Sequence, residues 1–267
     1  MGSKTSIENF DATWNPVTGC YRGCPYCYAS RIANRFSGCN ENKLRAVVNG
    51  GRVVYEADEA MERTTKNGFI MPAPYPMGFA PTLHHYRIAD PQQWKTPRTI
   101  FVCSMGDLFA EYIPDEWITE VFDACENAQQ HRYMFLTKNP GRYIELFQKG
   151  LMPDEARMKN KWFGTTITTQ DDPYFFVDEE QLGYPFNGFL SIEPIHGDFQ
   201  ENLQLKEHGI KWVVIGAETG NRTGKVKPER EWVEHITESC DKCGVPVFMK
   251  GSVWDVVPDR IKADYPW

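Results

Sequence analysis

The chain has 267 residues, of which 41% are hydrophobic and 13% aromatic, enough for one large α/β domain or two small ones. Its formal net charge of −7 disfavours nonspecific attraction to nucleic acid phosphates over the whole surface, although a local basic patch is compatible with it. The sequence contains no apolar run of membrane-spanning length and opens with no charged-then-apolar leader, so we expect a cytoplasmic protein. Its eight cysteines are then expected to be reduced, as metal ligands or buried thiols.

The first predicted element is a strand around residues 12–17, and a loop rich in cysteine follows it. Cys20, Cys24 and Cys27 have the spacing CxxxCxxC, with the aromatic residue Tyr26 before the last cysteine. Iron–sulfur clusters are held by cysteine thiolates, and three ligands leave one iron of a cubane cluster open to another molecule. The alternative interpretation is three reduced thiols, or part of a zinc site, on a surface loop.

The next two segments differ in character. Residues 29–36 have a helical composition and predict the first helix. Residues 37–97 are rich in glycine, proline, charged and aromatic residues and have no sustained period. We therefore predict an irregular insertion or lid there, with an ordinary surface loop as the alternative.

From residue 98 onward, short apolar runs alternate with segments of helical length, as expected for buried parallel strands covered by helices. Helices are predicted from residues 114 and 228, where proline and acidic residues favour a helix start, and the second should end near Gly244. The six or seven βα units predict a full or partial TIM-like (β/α) barrel, with a doubly wound open sheet as the alternative. We expect one domain over residues 1–267. The predicted strands are 99–103, 133–136, 162–167, 188–192, 212–215 and 245–249.

Several segments together resemble one known family. Residues 12–20 (ATWNPVTGC) and 24–29 (CPYCYA) are similar to the opening of a phage and bacterial radical SAM-like family of largely unassigned function. That family lies within the radical S-adenosylmethionine (SAM) superfamily. The resemblance is weakest across residues 37–97, and it implies a radical SAM enzyme with a barrel of the type found in that superfamily. The later segments of this chain that resemble the same family are residues 98–109, 135–140, 190–194, 212–220 and 245–250.

The resemblance implies a specific chemistry. Cys20, Cys24 and Cys27 would hold a 4Fe–4S cluster at the C-terminal mouth of the barrel, and SAM would bind the open iron. Reduction by a flavodoxin- or ferredoxin-type partner would cleave SAM to methionine and a 5′-deoxyadenosyl radical, which abstracts hydrogen from a substrate. The phage-associated relatives suggest a nucleotide or a nucleic-acid base as the substrate, while peptides and small molecules stay open. Tyr26 would pack near the adenine or shield the cluster.

The same resemblance implies SAM-binding residues at the ends of the predicted strands. Ser104 and Asp107 lie where the superfamily binds the SAM ammonium group, although this chain has Ser-Met-Gly-Asp instead of Gly-Gly-Glu. A carboxylate pairs well with a cationic amine, which favours Asp107. The alternative for Asp107 is a helix N-cap or a turn residue.

Glu193 is a carboxylate in an apolar strand that then meets proline, and burial there is costly without a partner. A ribose hydroxyl, the SAM amine or Lys138 could be that partner, and an internal salt bridge is an equal alternative. Gly216 resembles the superfamily's strand glycine that lets the backbone approach adenine. Further candidates follow other predicted strands: Thr168, Gln170 and Glu218 for SAM, and Lys138 and Lys250 for catalysis.

Other features are weaker. The CxxC pair Cys240 and Cys243 is half a zinc site at most, so we interpret both as structural thiols. His84 and His85 have no carboxylate at zincin spacing, which favours a lid or packing role. The alternative function is a non-enzymatic metal-stabilised binding module, in which Cys39 completes a four-cysteine site with the loop cysteines.

Overall fold

Thirteen strands and five α-helices are present in residues 5–38, 43–174, 186–200 and 203–267, the part of the chain that a computed structural model describes. The strands are β1 (Ala12–Trp14), β2 (Val17–Thr18), β3 (Arg45–Asn49), β4 (Arg52–Ala57), β5 (Glu62–Thr64), β6 (Ile70–Pro72), β7 (Thr82–His84), β8 (Thr99–Val102), β9 (Arg132–Thr137), β10 (Lys161–Ile167), β11 (Gly188–Ile192), β12 (Ile210–Ile215) and β13 (Val247–Met249). The helices are α1 (Tyr28–Arg35), α2 (Asp115–Glu126), α3 (Gly141–Gln148), α4 (Glu155–Met158) and α5 (Arg230–Cys243). None of the helices in these ranges has the length and apolarity needed to cross a membrane.

The chain is divided into two structural units, and strand β9 continues from the first into the second. The first unit consists of Met1–Ser6, Phe10–Phe135 and Gly150–Met152. The second consists of Ile7–Asn9, Leu136–Lys149 and Pro153–Trp267.

Parallel strands form the main sheet of each unit. The order is β1-β8-β9 in the first unit and β9-β10-β11-β12-β13 in the second, and the strand pairs described residue by residue are parallel. Both orders follow the chain without the reversal that defines a doubly wound sheet. Strand β11 is buried along its whole length, as expected when a parallel sheet is covered on both faces. The α/β class and the parallel strands are therefore confirmed, and they are compatible with part of a β/α barrel.

The prediction that residues 37–97 are irregular is wrong. The described part of this segment contains strands β3 to β7, of which three join β2 in a four-stranded sheet with the order β2-β7-β4-β3. Strands β5 and β6 form a separate hairpin. The strands are three to six residues long and interrupted by turns, so they produce no sustained sequence period.

The sequence of this segment contains one clear turn signal. Strands β3 and β4 are joined by the two-residue turn Gly50–Gly51, and both glycines have a positive φ, 54° and 71°. Such turns match the twist of a hairpin and require residues that tolerate positive φ. The run Val-Val-Asn-Gly-Gly-Arg-Val-Val around it is accordingly a hairpin sequence.

The predicted first strand is divided between two sheets. Strand β1 pairs with β8, whereas β2 pairs with β7 of the four-stranded sheet. Residues Asn15 and Pro16 separate the two strands, and proline cannot donate a ladder hydrogen bond. Apolar character alone could not reveal this change of sheet.

Helix ends follow the expected chemistry. Helix α2 begins directly after Pro114, with Asp115 and Glu116 in its first turn, where negative charge is favourable. Helix α5 begins at Arg230, two residues later than predicted, and ends at Gly244. That glycine has the left-handed conformation, φ 66°, which commonly terminates helices.

His84 gives a testable pH dependence of stability. It is fully buried in β7, with Nε2 at 2.9 Å from Thr18 Oγ1 and Nδ1 at 3.3 Å from the Tyr86 hydroxyl. Burial lowers the pKa of His84 well below its usual value, and Arg87 and His85 lower it further. The unfolded chain therefore binds a proton near pH 6.5 that the folded protein does not bind. Folding stability should fall as the pH drops below that value, by at most about 1.4 kcal/mol per pH unit.

His84→Gln should remove this loss of stability between pH 6.5 and 5, whatever it does to stability at neutral pH. Urea unfolding at a series of pH values measures it. His85→Gln is the matched control: burial is the largest cause of the lowered pKa of His84, so replacing the partly buried His85 should leave most of the loss in place. An unchanged slope in His84→Gln would contradict the assignment.

Candidate functional site

The cysteine loop lies between β2 and α1 in the first unit, and its start is determined by a close backbone approach. Gly19 has a φ of 90°, and a Cβ at this position would lie 2.3 Å from the Ala80 carbonyl oxygen, so only glycine fits. The Gly19 amide donates to the Met105 carbonyl oxygen at 2.8 Å, and the Cys20 amide donates to that of Phe79 at 2.9 Å. The first cysteine is thereby held against two other segments of the unit.

Two of the three sulfurs accept hydrogen bonds. Cys20 Sγ accepts from the Tyr112 hydroxyl at 3.3 Å and from the Arg22 amide at 3.4 Å. Cys27 is the N-cap of α1, and its Sγ accepts from the Ser30 amide at 3.3 Å. Burial and, to a smaller extent, the nearby carboxylate of Asp107 raise the pKa of Cys20 to about 11. Without a bound cation, Cys20 is therefore a thiol at neutral pH.

The chemistry of the donors gives a test of whether this loop fits an iron–sulfur cluster. All three cysteines are partly exposed, and hydrogen bonds to cluster sulfurs are one of the means by which proteins tune such clusters. In the described ranges, no group of three or more His, Cys, Asp or Glu side chains is arranged so that it could hold a single metal ion. The thiol-only set fits a cluster by residue type. Cys39, which the zinc alternative requires, lies outside the described residues.

Ser104 and Asp107 lie on the turn that follows β8. Ser104 Oγ is 3.2 Å from Asn15 Oδ1, and its carbonyl oxygen accepts from the Tyr28 hydroxyl at 2.7 Å. Asp107 is buried, and its Oδ1 accepts from the Phe109 amide at 3.2 Å, as in the turn alternative. Its charge also acts on Cys20, so the first unit brings Asp107 and the cysteine loop together. Tyr26 is partly buried on the same loop.

Sequence reasoning missed two residues of this region. Asn15 directly follows β1, and its Oδ1 also accepts from the Met105 amide at 2.9 Å. A polar residue after a predicted strand is a local signal that could have identified it. The Tyr112 hydroxyl contacts Cys20 Sγ and accepts from the Tyr21 amide at 2.7 Å. Tyr112 is more than ninety residues from Cys20 in sequence, and no local pattern marks it.

In the second unit, five predicted residues lie immediately after successive parallel strands. The C-terminal ends of parallel strands form one edge of a sheet, where barrels place functional groups. The structure therefore brings these five positions to the same edge of this unit's sheet, with Gln170 and Glu218 two residues further along the chain. They are Lys138 after β9, Thr168 after β10, Glu193 after β11, Gly216 after β12 and Lys250 after β13.

Glu193 has a protein partner at this edge. Its Oε2 is 2.5 Å from Lys250 Nζ, so its ion-pair partner is Lys250 and not Lys138. The peptide bond between Glu193 and Pro194 is cis. A Cβ on Gly216 would lie 3.1 Å from Glu193 Oε1. The absence of a side chain at Gly216 thus makes room for the side chain of Glu193.

Thr168 is also engaged within the protein. Its hydroxyl donates to Asp172 Oδ2 at 2.7 Å and its amide donates to the same oxygen at 2.6 Å. Burial acts to raise the pKa of Asp172, but these hydrogen bonds and the charge of Lys138 outweigh it, so the pKa is lowered. Gln170 is exposed. Thr168 therefore supports the turn after β10.

Glu218 forms a bidentate pair with Arg222, at 2.6 Å and 2.7 Å. Its side chain is almost completely buried, and the hydrogen bond from Arg222 lowers its pKa against the opposing effect of burial. His196 Nε2 lies 3.6 Å from the same carboxylate. The pair with Arg222 orders the loop after β12, because Arg222 also donates to the Gly224 carbonyl oxygen.

The two features set aside on sequence grounds have ordinary surroundings. Cys240 is buried in α5, and its carbonyl oxygen accepts from the Val245 amide at 2.9 Å. Cys240 and Cys243 come shortly before β13, so they lie toward the N-terminal end of that strand. Lys250 follows its C-terminal end. Buried His84 contacts Thr18 and Tyr86, as a packing role requires.

A double-mutant cycle tests the Glu193–Lys250 pair. Either Glu193→Gln or Lys250→Met leaves one partly buried charge unpaired, so each should lower the free energy of unfolding. The double variant should lose less than the sum, with a coupling energy on the order of 1 kcal/mol. The exposed pair Glu145–Lys149 at the end of α3 is the control, with a coupling of about 0.3–0.5 kcal/mol. Strict additivity at Glu193 and Lys250 would show that the pair contributes nothing.

Comparison with known proteins gives one match. No curated protein and no solved structure matches the chain. A family model described as a protein of unknown function (DUF5131) matches residues 4–257. Because this match covers nearly the whole chain, the protein belongs to the DUF5131 family.

Proposed function

We propose that the protein is a radical SAM enzyme whose cluster is held by Cys20, Cys24 and Cys27. The observation that supports this proposal best is the loop itself: three thiols on one short segment, with hydrogen-bond donors directed at two of the sulfurs. When bound, a 4Fe–4S cluster with SAM would supply a 5′-deoxyadenosyl radical that abstracts hydrogen from a substrate. The substrate class that we propose is a nucleotide or a nucleic-acid base.

The residues of the first unit would position these groups. The Tyr112 hydroxyl and the Arg22 and Ser30 amides would donate to ligand sulfurs and stabilise their thiolate form. Asp107 has a buried carboxylate beside Cys20, which suits the cationic amine of SAM. Ser104 and Tyr26 are proposed to contact SAM from the same unit.

The second unit contains the remaining proposed residues at its strand ends. Lys250 is held by Glu193 and is the better placed of the two proposed catalytic lysines, because its ammonium group has a defined position. Lys138 lies near Asp172 and is the other. The proposed SAM-binding residues of this unit are Thr168, Gln170, Glu193, Gly216 and Glu218.

The proposal includes the setting of the reaction. We propose a cytoplasmic location. A flavodoxin- or ferredoxin-type reductant would supply the single electron that SAM cleavage needs. We also propose that residues 37–97, with their small sheet, help to define the substrate. Protease sensitivity with and without SAM and substrate tests that role.

The cysteine assignment is tested by anaerobic reconstitution with iron and sulfide. Replacing Cys20, Cys24 or Cys27 by Ala should abolish iron binding and the brown colour, because each would remove one cluster ligand. Cys39→Ala and Cys243→Ala are the controls and should retain the wild-type iron content. Incubation of the wild type with SAM and dithionite should then yield 5′-deoxyadenosine. Iron loss in Cys39→Ala, or a colourless zinc protein, would favour the metal-stabilised binding module.

Asp107→Asn tests the SAM site without touching the cluster ligands. Losing a charge-assisted hydrogen bond should weaken SAM binding by about ten- to a hundredfold, while the iron content stays at the wild-type level. Equilibrium dialysis with labelled SAM measures the affinity. Glu111→Gln is the matched control, because Glu111 is an exposed carboxylate four residues away. Wild-type affinity in Asp107→Asn would assign Asp107 to its turn alone.

A further inference from the structure

One surface of the first unit contains cations and rings. It is formed by α1 and by the hairpin of β5 and β6, and we call it the α1–hairpin surface. Helix α1 contains two arginines and no acidic residue, although surface helices commonly pair cations with acids one turn away. Because the whole chain has a net charge of −7, this arrangement is local. The surface consists of Tyr28, Arg31, Arg35, Phe36, Arg63 and Met71.

The centre of this surface is a pair of arginines on one ring. The Cζ of Arg35 lies 5.4 Å from the centroid of Phe36, and the Cζ of Arg63 lies 5.8 Å from the same centroid. Within the described ranges, neither guanidinium forms an ion pair with a carboxylate. The Arg63 Nε is also buried without a hydrogen-bond partner there. Both guanidinium groups lie close to this one ring, so an anion bound near it would be stabilised by two positive charges.

The hairpin orients its side chains toward two faces. Arg63 of β5 pairs with Met71 of β6, so the two side chains project from the same face. The neighbouring acid, Glu62, projects from the opposite face because strand side chains alternate. Met71 is 44% exposed. The Arg63 face of the hairpin therefore combines a cation with exposed apolar surface.

Tyr28 provides a flat ring on the same helix. Its hydroxyl donates to the Ser104 carbonyl oxygen at 2.7 Å, yet 44% of the residue is exposed. This hydrogen bond holds the ring in one position. Exposed, oriented aromatic rings are the surfaces on which unpaired bases stack. Tyr28 also directly follows Cys27, so a base stacked there would lie beside the cysteine loop.

We propose that the α1–hairpin surface binds a single-stranded nucleic acid, with Arg31, Arg35 and Arg63 on phosphate and Tyr28 on a base. Guanidinium groups bind phosphate oxygens in a bidentate manner. A single strand is favoured over a duplex because base stacking on Tyr28 needs an unstacked base. The inference rests on the proposed function only for its substrate class. Binding needs neither the cluster nor SAM, so failure here leaves the cysteine assignment standing, and loss of that assignment leaves this binding measurable.

Fluorescence anisotropy of the full chain with a labelled 12-nucleotide oligothymidine tests the proposal. With three phosphate contacts, from Arg31, Arg35 and Arg63, the logarithm of the affinity should fall with the logarithm of salt concentration with a slope of about −2. Arg35→Gln/Arg63→Gln should reduce this slope by about 1.4. At 50 mM salt the same relation predicts an affinity loss of about tenfold for each arginine.

The matched control is Arg230→Gln/Arg260→Gln on the second unit. It changes the net charge equally, but Arg230 pairs with Glu234 and Asp259, and Arg260 lies near Glu234. It should keep the wild-type slope. Tyr28→Leu should weaken binding by about 5- to 100-fold with the slope unchanged, because it removes stacking and no charge. If circular dichroism shows that the double variant is unfolded, Arg31→Gln, at an exposed position, should reduce the slope by about 0.7.

Any one of the following results would overturn the proposal. The first is absence of binding by the wild type at 50 mM salt, or a wild-type slope in the folded arginine variants. The second is equal competition by a polyglutamate peptide, which would assign the surface to acidic peptides. The third is equal affinity for a duplex of the same length, which would remove the role of the exposed ring.

Discussion

The close backbone approach at Gly19 is the constraint on which the first unit depends. A Cβ there would overlap the Ala80 carbonyl group, and the positive φ is strained for any other residue. Hydrogen bonds from Gly19 to Met105 and from Cys20 to Phe79 join the loop to the turn after β8 and to the segment before β7. The cysteine loop is therefore part of the packed unit at its first cysteine.

This constraint also explains how the loop's neighbours acquire their positions. Once Cys20 is held, the Tyr112 hydroxyl donates to its sulfur and the Asp107 carboxylate raises the pKa of the thiol. At the other end, Cys27 caps α1, so the helix direction follows from the last cysteine. The capped helix presents its arginines to solvent one and two turns further on. The proposed cluster ligands and the basic surface thus share one short segment of chain.

The second unit is governed by the cost of burying charge. Three acids at or near its strand ends have partners from their own unit: Lys250 for Glu193, Arg222 for Glu218, and the Thr168 hydroxyl for Asp172. An unpaired charge at such positions would lose its hydration without compensation. A ligand that binds there must therefore add to these contacts or replace one partner with another. The lysine beside Glu193 is held in place before any ligand arrives.

The sequence by itself determined the series of parallel strands, the approximate positions of α1, α2 and α5, and the positions of polar residues after strands. These are local properties: apolar runs, capping residues and glycine conformations are encoded within a few residues. The hairpin at Gly50–Gly51 is encoded in the same local way, by two glycines between apolar runs. Only the tertiary structure decided that residues 12–18 serve two sheets, that Lys250 is the partner of Glu193, and that Tyr112 contacts Cys20. Those contacts join residues tens of positions apart, and which of several compatible partners meet depends on the packing of the whole unit.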